Sequence, residues 1–220
     1  ADPALIVYLR ENGINCEIHL SGECGEINSQ MVASLVKMRL KRVIFHRKNT
    51  FEDMKSVVDK CGKKDGTEGV PEFEAFVLNE MCQFTGAFCN SLHCDEMGYL
   101  CRVSYWLGTV RNGDAVPEKI MALQEQAWNQ EPDLKAYDES GYLCGETGCG
   151  LCALYQLKQA GITHLKLVGR GNYVDHMEKD IRNLRKALEI LDAAENEREF
   201  QYTLKRTVFP AGCSGRCYYQ

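Results

Sequence analysis

Segments with strand character alternate with segments of helix character through the first third of the chain, and this order restricts the fold more than any other feature. Short apolar runs at 16–20, 42–46 and 72–77 are typical of strands. Between them, segments that start near Ser29 and Thr50, two residues that can cap a helix, carry apolar side chains at helical spacing. Strands joined through helices need crossover connections, so the sequence predicts an α/β fold with a parallel sheet.

The second half of the chain repeats this pattern after an interruption. We predict helices over 117–128 and 154–160, with Gly161 ending the latter, and a fourth strand over 162–168. The clearest helix is predicted over 174–191, where apolar residues recur at steps of three and four and charged residues lie between them.

Cysteine is the compositional outlier, with twelve among 220 residues. Disulfides require an oxidising compartment, and we find no secretory leader at the start of the chain. A chain of this length can also bury a core without covalent links. We therefore expect metal or iron–sulfur ligation rather than disulfides, with structural zinc as an alternative to iron.

Most of the cysteines fall into two clusters that lack regular periodicity. The segment 82–101 holds Cys82, Cys89, Cys94 and Cys101 and follows directly on a predicted strand. The segment 144–152 holds Cys144, Cys149 and Cys152, spaced as in plant-type ferredoxins and surrounded by glycines. The carboxyl ends of parallel strands are where α/β folds build their sites, so we expect the thiols to converge there.

Several other residues allow a simpler interpretation. Cys16, Cys24 and Cys61 are isolated in the sequence, and we expect each to be a small buried apolar side chain. Glu72 and Glu74 share one face of a predicted strand and could act as an acid and a base. We favour the interpretation that they form the solvated face of that strand.

The overall charge gives the chain no global attraction for nucleic acids, but it does not exclude a local basic patch. The net charge is −5, from 26 basic and 31 acidic residues, so the chain as a whole does not attract a phosphate backbone. No apolar run reaches the roughly 18 residues of a membrane helix. We expect a cytoplasmic globular protein that does not interact with a membrane.

Three stretches of the sequence, in a matching order, resemble the collagenase-like peptidase family U32. The first is EAFVLNEMC at 74–82, followed by GAFC at 86–89 and GYLC at 98–101. The second is LCALYQLKQAGITHLKLVGR at 151–170, and the third combines IHLS at 18–21 with RVIFHR at 42–47. Together they cover roughly residues 1–195.

The resemblance implies a TIM-type (β/α) barrel whose first strands lie upstream of Ala1. It also implies a 4Fe–4S cluster, because members of this family bind one through four cysteines. By position in the motifs the ligands would be Cys82, Cys89 and Cys101, with Cys144 as the fourth and Cys149 as the alternative.

The activities implied by the resemblance are electron transfer or oxygen-independent hydroxylation, in ubiquinone synthesis or on RNA bases. The partners would be a redox protein or a paralogous iron–sulfur subunit, with a small molecule or RNA as substrate. The alternatives are a peptidase of unassigned mechanism and a non-catalytic subunit with a structural metal. Leu78 and Asn79 replace the His-Gly of the family motif and Val168 replaces a Glu, so we assign no catalytic residue.

The end of the chain adds two cysteines that the family pattern does not contain. Cys213 and Cys217 could join Cys149 and Cys152 in a second four-thiolate site, which would make a second cluster possible. We divide the chain into a partial barrel domain at 1–200, including 82–101 and 144–152, and a tail at 201–220.

Overall fold

A computed structural model of the protein describes residues 2–25, 27–62, 70–79, 136–169 and 172–219. These residues form six α-helices and one four-stranded sheet. The helices are α1 Pro3–Glu11, α2 Ser29–Val36, α3 Phe51–Cys61, α4 Leu154–Gln159, α5 Val174–Ala193 and α6 Glu197–Val208. The strands are β1 His19–Leu20, β2 Arg42–Ile44, β3 Glu72–Leu78 and β4 His164–Leu167.

The sheet is parallel throughout and follows the order β1-β2-β3-β4. Arg42 pairs with Glu72, and Glu74 pairs with His164, so β3 lies between β2 and β4 and is an inner strand of the sheet. The predicted α/β class and parallel arrangement are confirmed. The described strands form an open sheet, and closure into a barrel stays a prediction.

The helix boundaries follow the local capping chemistry. Thr50 caps α3 as predicted, in a reciprocal capping box with Asp53. The predicted cap at Ser29 is wrong by one residue, because the side chain of Asn28 accepts hydrogen bonds from two of the unpaired backbone N–H groups at the start of α2. The predicted helix at 117–128 lies outside the described residues, and α6 was not predicted.

The two faces of the sheet differ in chemistry. One face carries Val43, Phe45 and Phe73, which share a buried core with side chains of α2 and α3 such as Val32 and Met54. Since successive residues of a strand point to opposite faces, the alternate residues form a second face. Its polar members are Arg42 and Lys166 with Glu72, Glu74 and His164.

Candidate metal centre

Three of the four predicted iron–sulfur ligands, Cys82, Cys89 and Cys101, lie outside the described residues, as does Cys94. The structure does place Cys144, together with the candidates for a second site. The eight cysteines that it describes are all free, with no disulfide among them.

Cys144 belongs to a loop that is fixed to the carboxyl end of β3. The backbone N–H of Asn79 donates to the carbonyl of Gly148 over 2.8 Å, and that of Gly150 donates to Val77 over 2.7 Å. Leu78 also forms an antiparallel bridge with Cys149. The loop with the second cysteine cluster therefore lies at the sheet end where the sequence analysis expected the thiols to meet.

The Cys144 side chain is buried, with 5% of its surface exposed. Burial raises the pKa of its thiol to about 11; nearby Asp180 adds to the rise, while hydrogen bonds with Tyr142 and Asn183 reduce it. A thiol with this pKa stays protonated near neutral pH unless a cation compensates the charge of the thiolate. The site is therefore one in which a metal would be needed to hold Cys144 as a thiolate.

A buried carboxylate that was not predicted from the sequence adjoins Cys144. Asp180 of α5 is 2% exposed and accepts hydrogen bonds from Asn79 Nδ2 over 2.7 Å and from the Tyr142 hydroxyl over 2.8 Å. Asn183 Nδ2 donates in turn to that hydroxyl over 2.9 Å. The sequence contained one signal, because Asp180 falls on the apolar side of α5 between Met177 and Leu184.

The four cysteines of the possible second site contribute to the lining of one cavity. Cys149, Cys152, Cys213 and Cys217 all line a cavity of about 50 Å³ beside the loop. Cys149 and Cys217 are direct partners in a parallel bridge. Within the described ranges, no group of three or more His, Cys, Asp or Glu side chains is already arranged around a common metal position.

The three isolated cysteines differ in their exposure to solvent. Cys61 is buried and Cys24 is half-buried against the core, in line with the prediction for small apolar side chains. The prediction is wrong for Cys16, which is exposed because it lies in the irregular segment before β1.

The two acidic side chains of β3, Glu72 and Glu74, form ion pairs with basic side chains. Arg42 donates to Glu72 over 2.7 Å and to Glu74 over 2.8 Å, and Lys41 lies 3.0 Å from Glu72. Hydrogen bonds from Arg42 and Lys41 hold the pKa of Glu72 at about 2. Glu74 is buried, so the predicted solvated face is wrong there, and Glu72 stays ionised and cannot supply a proton near neutral pH.

The described residues thus define a parallel α/β protein with a cysteine-rich loop at the carboxyl end of the inner strand β3. The chain belongs to peptidase family U32, whose family model matches residues 1–219. No curated protein and no solved structure matches it significantly. None of the helices in the described part of the chain combines the length and the apolar character needed to cross a membrane.

Proposed function

We propose that the chain is an iron–sulfur member of its family, with a 4Fe–4S cluster held by Cys82, Cys89, Cys101 and Cys144. When bound, such a cluster accepts and donates single electrons. The activity that we propose is electron transfer or oxygen-independent hydroxylation.

The observation that carries the proposal is the position of Cys144. Its loop is hydrogen-bonded to Val77 and Asn79 at the end of β3, and Cys82 follows Asn79 by three residues in the sequence. Three residues of fully extended chain span at most about 11 Å. Covalent connectivity therefore limits how far Cys82, the first cysteine of that cluster, can lie from the strand end to which the Cys144 loop is hydrogen-bonded.

The surroundings of Cys144 fit a thiolate ligand of iron. Tyr142 and Asn183 lie beside Cys144 and lower the pKa of its thiol, and polar neighbours of this kind tune the potential of a bound cluster. The side chain is also excluded from water. The burial of its sulfur supports Cys144 as the fourth ligand, in addition to the spacing of the cysteines in the sequence.

The same proposal covers the fold, the partners and the compartment. A TIM-type barrel would place the cluster at its carboxyl-terminal rim. We propose a redox protein or a second iron–sulfur subunit as the partner, and a small molecule or an RNA as the substrate. A cytoplasmic location would keep thiols reduced, which agrees with the free state of the described cysteines.

The test is iron and sulfide analysis of anaerobically purified protein, with an absorption spectrum and electron paramagnetic resonance after reduction. We expect about four irons and about four sulfides per chain. Cys144→Ser and Cys89→Ser should lose most of the iron, whereas Cys16→Ser, which changes an exposed thiol outside the proposed ligand set, should retain it.

Two results would overturn the proposal. One is an iron content well below one per chain after reconstitution, and the other is full iron retention in both Cys144→Ser and Cys89→Ser. Thermal unfolding of each variant separates loss of the cluster from loss of the fold. Gelatin hydrolysis that persists in Cys89→Ser would favour the peptidase alternative.

A further inference from the structure

Four cysteines outside the proposed iron–sulfur set come from two distant segments that the fold brings together. Cys149 lies at the centre of this contact: its N–H donates to the carbonyl of Arg216 over 2.8 Å, and its carbonyl accepts from the N–H of Tyr218 over 2.9 Å. Since these bonds flank Cys217, Cys149 and Cys217 are register partners. The pairing fixes the separation of the two segments.

Side-chain packing also holds the C-terminal tail against the cysteine loop. A Cβ on Gly148 would lie 2.4 Å from the Tyr218 ring, so only glycine allows the tail to approach the loop this closely. The Tyr218 hydroxyl donates to the carbonyl of Asn79, and the Tyr219 hydroxyl donates to that of Phe76 over 2.9 Å. The tail is thereby anchored to β3 as well as to the loop.

All four thiols line one cavity between the segments. Its volume of about 50 Å³ exceeds the roughly 10–15 Å³ that one water molecule needs on the same measure. The cavity therefore has room for a single ion.

We propose that Cys149, Cys152, Cys213 and Cys217 bind one zinc ion in a tetrahedral structural site that fastens the C-terminal tail to the loop. The pairs Cys149-x2-Cys152 and Cys213-x3-Cys217 have the spacing of such sites. Binding forms four zinc–sulfur bonds and releases the thiol protons to solvent, with no change of oxidation state. Arg216 lines the same cavity, and its positive charge offsets part of the negative charge of the tetrathiolate complex.

The thiols line the cavity without yet surrounding one point, so binding requires the side chains to turn inward. Cys213 and Cys217 are the exposed pair, and they lie in the tail segment that follows α6. Their side chains can rotate without disturbing the core. The tail pair would therefore close on an ion that Cys149 and Cys152 hold from the buried side.

The test is zinc analysis of the full chain, with X-ray absorption at the zinc edge. We expect one zinc per chain with four sulfur neighbours at about 2.3 Å. Cys152→Ser and Cys213→Ser should each lose at least tenfold in zinc affinity, and Cys16→Ser is the matched control for an exposed thiol. Circular dichroism identifies any variant that fails to fold.

The zinc proposal does not rest on the proposed iron–sulfur function. Separate measurements of iron and zinc distinguish failure of one proposal from failure of the other. Cys89→Ser should lose iron and keep zinc, whereas Cys213→Ser should lose zinc and keep iron. The inference would be overturned if zinc stays at the wild-type level in Cys152→Ser and Cys213→Ser together. It would also be overturned by disulfides among the four sulfurs without zinc, or by iron bound there instead.

Discussion

Asn79 combines two roles at the end of β3. Its φ of 68° lies in the left-handed region, which asparagine tolerates better than other residues with a side chain. Its amide donates to Asp180 over 2.7 Å and to the Val168 carbonyl over 3.2 Å. A single residue therefore turns the chain and supplies a partner to a buried carboxylate.

Replacing Asn79 should separate these two roles. We expect Asn79→Ala to lose about 2–4 kcal/mol of unfolding free energy, because it leaves buried Asp180 short of a partner and strains the backbone. Asn79→Gly removes the same hydrogen bonds without the strain, and should be more stable than Asn79→Ala by about 1 kcal/mol. Urea unfolding measures both values, and equal stability of the two variants would contradict the role of the backbone conformation.

At the scale of elements, the ion pairs between β2 and β3 give the sheet a pH dependence. Glu72 has a pKa of about 2 in the folded protein, held there by Arg42 and Lys41, whereas an unfolded chain has about 4.3. A lowered folded pKa contributes stability that is present above the unfolded pKa and is lost as the pH falls. The contribution of Glu72 should therefore disappear between about pH 4.3 and pH 2.

The variant Glu72→Gln should flatten this dependence. We expect the urea midpoint of the wild type to fall more steeply than that of Glu72→Gln between about pH 5 and pH 2, because the variant has no carboxylate to protonate. Glu17→Gln changes an exposed carboxylate and is the control. Parallel curves for the wild type and Glu72→Gln would mean that the ion pair does not stabilise the folded state.

Local patterns located most elements but not all of them. The candidate cap at Thr50 with the apolar spacing after it was sufficient to predict α3, and the apolar spacing of α5 was sufficient to predict that helix. Helix α6 was missed because its charged residues outnumber its apolar ones, although Asn196 caps it and Phe200 and Leu204 are buried. Its apolar spacing of four residues was a signal that the sequence analysis did not use.

At the scale of the whole molecule, the C-terminal tail packs against the end of the sheet that carries the cysteine loop. Tyr218 is 9% exposed and packs with Ile44 and Phe76 on the polar face of the sheet. Its hydroxyl donates to the carbonyl of Asn79. The tail thus joins the end of β3 to the cysteine loop.

Removing this anchor should loosen the tail and destabilise the fold. We expect Tyr218→Ala to lose about 3 kcal/mol of unfolding free energy and to make the tail sensitive to limited proteolysis, because a large buried ring is deleted. Tyr218→Phe keeps the ring and should lose about 1–2 kcal/mol through the carbonyl that it leaves unpaired. Wild-type stability and protease resistance in Tyr218→Ala would show that the tail does not support the sheet.

The sequence by itself determined the α/β order, the parallel sheet and the local spacing of the cysteines, since apolar periodicity and caps act over a few residues. It did not determine that Cys149 meets Cys217, that Asp180 is buried beside Cys144, or that Glu74 is covered. Those features join segments far apart in the chain. Only the packing of the sheet, the loop and the tail against one another decides them, because no local pattern records which distant residues will become neighbours.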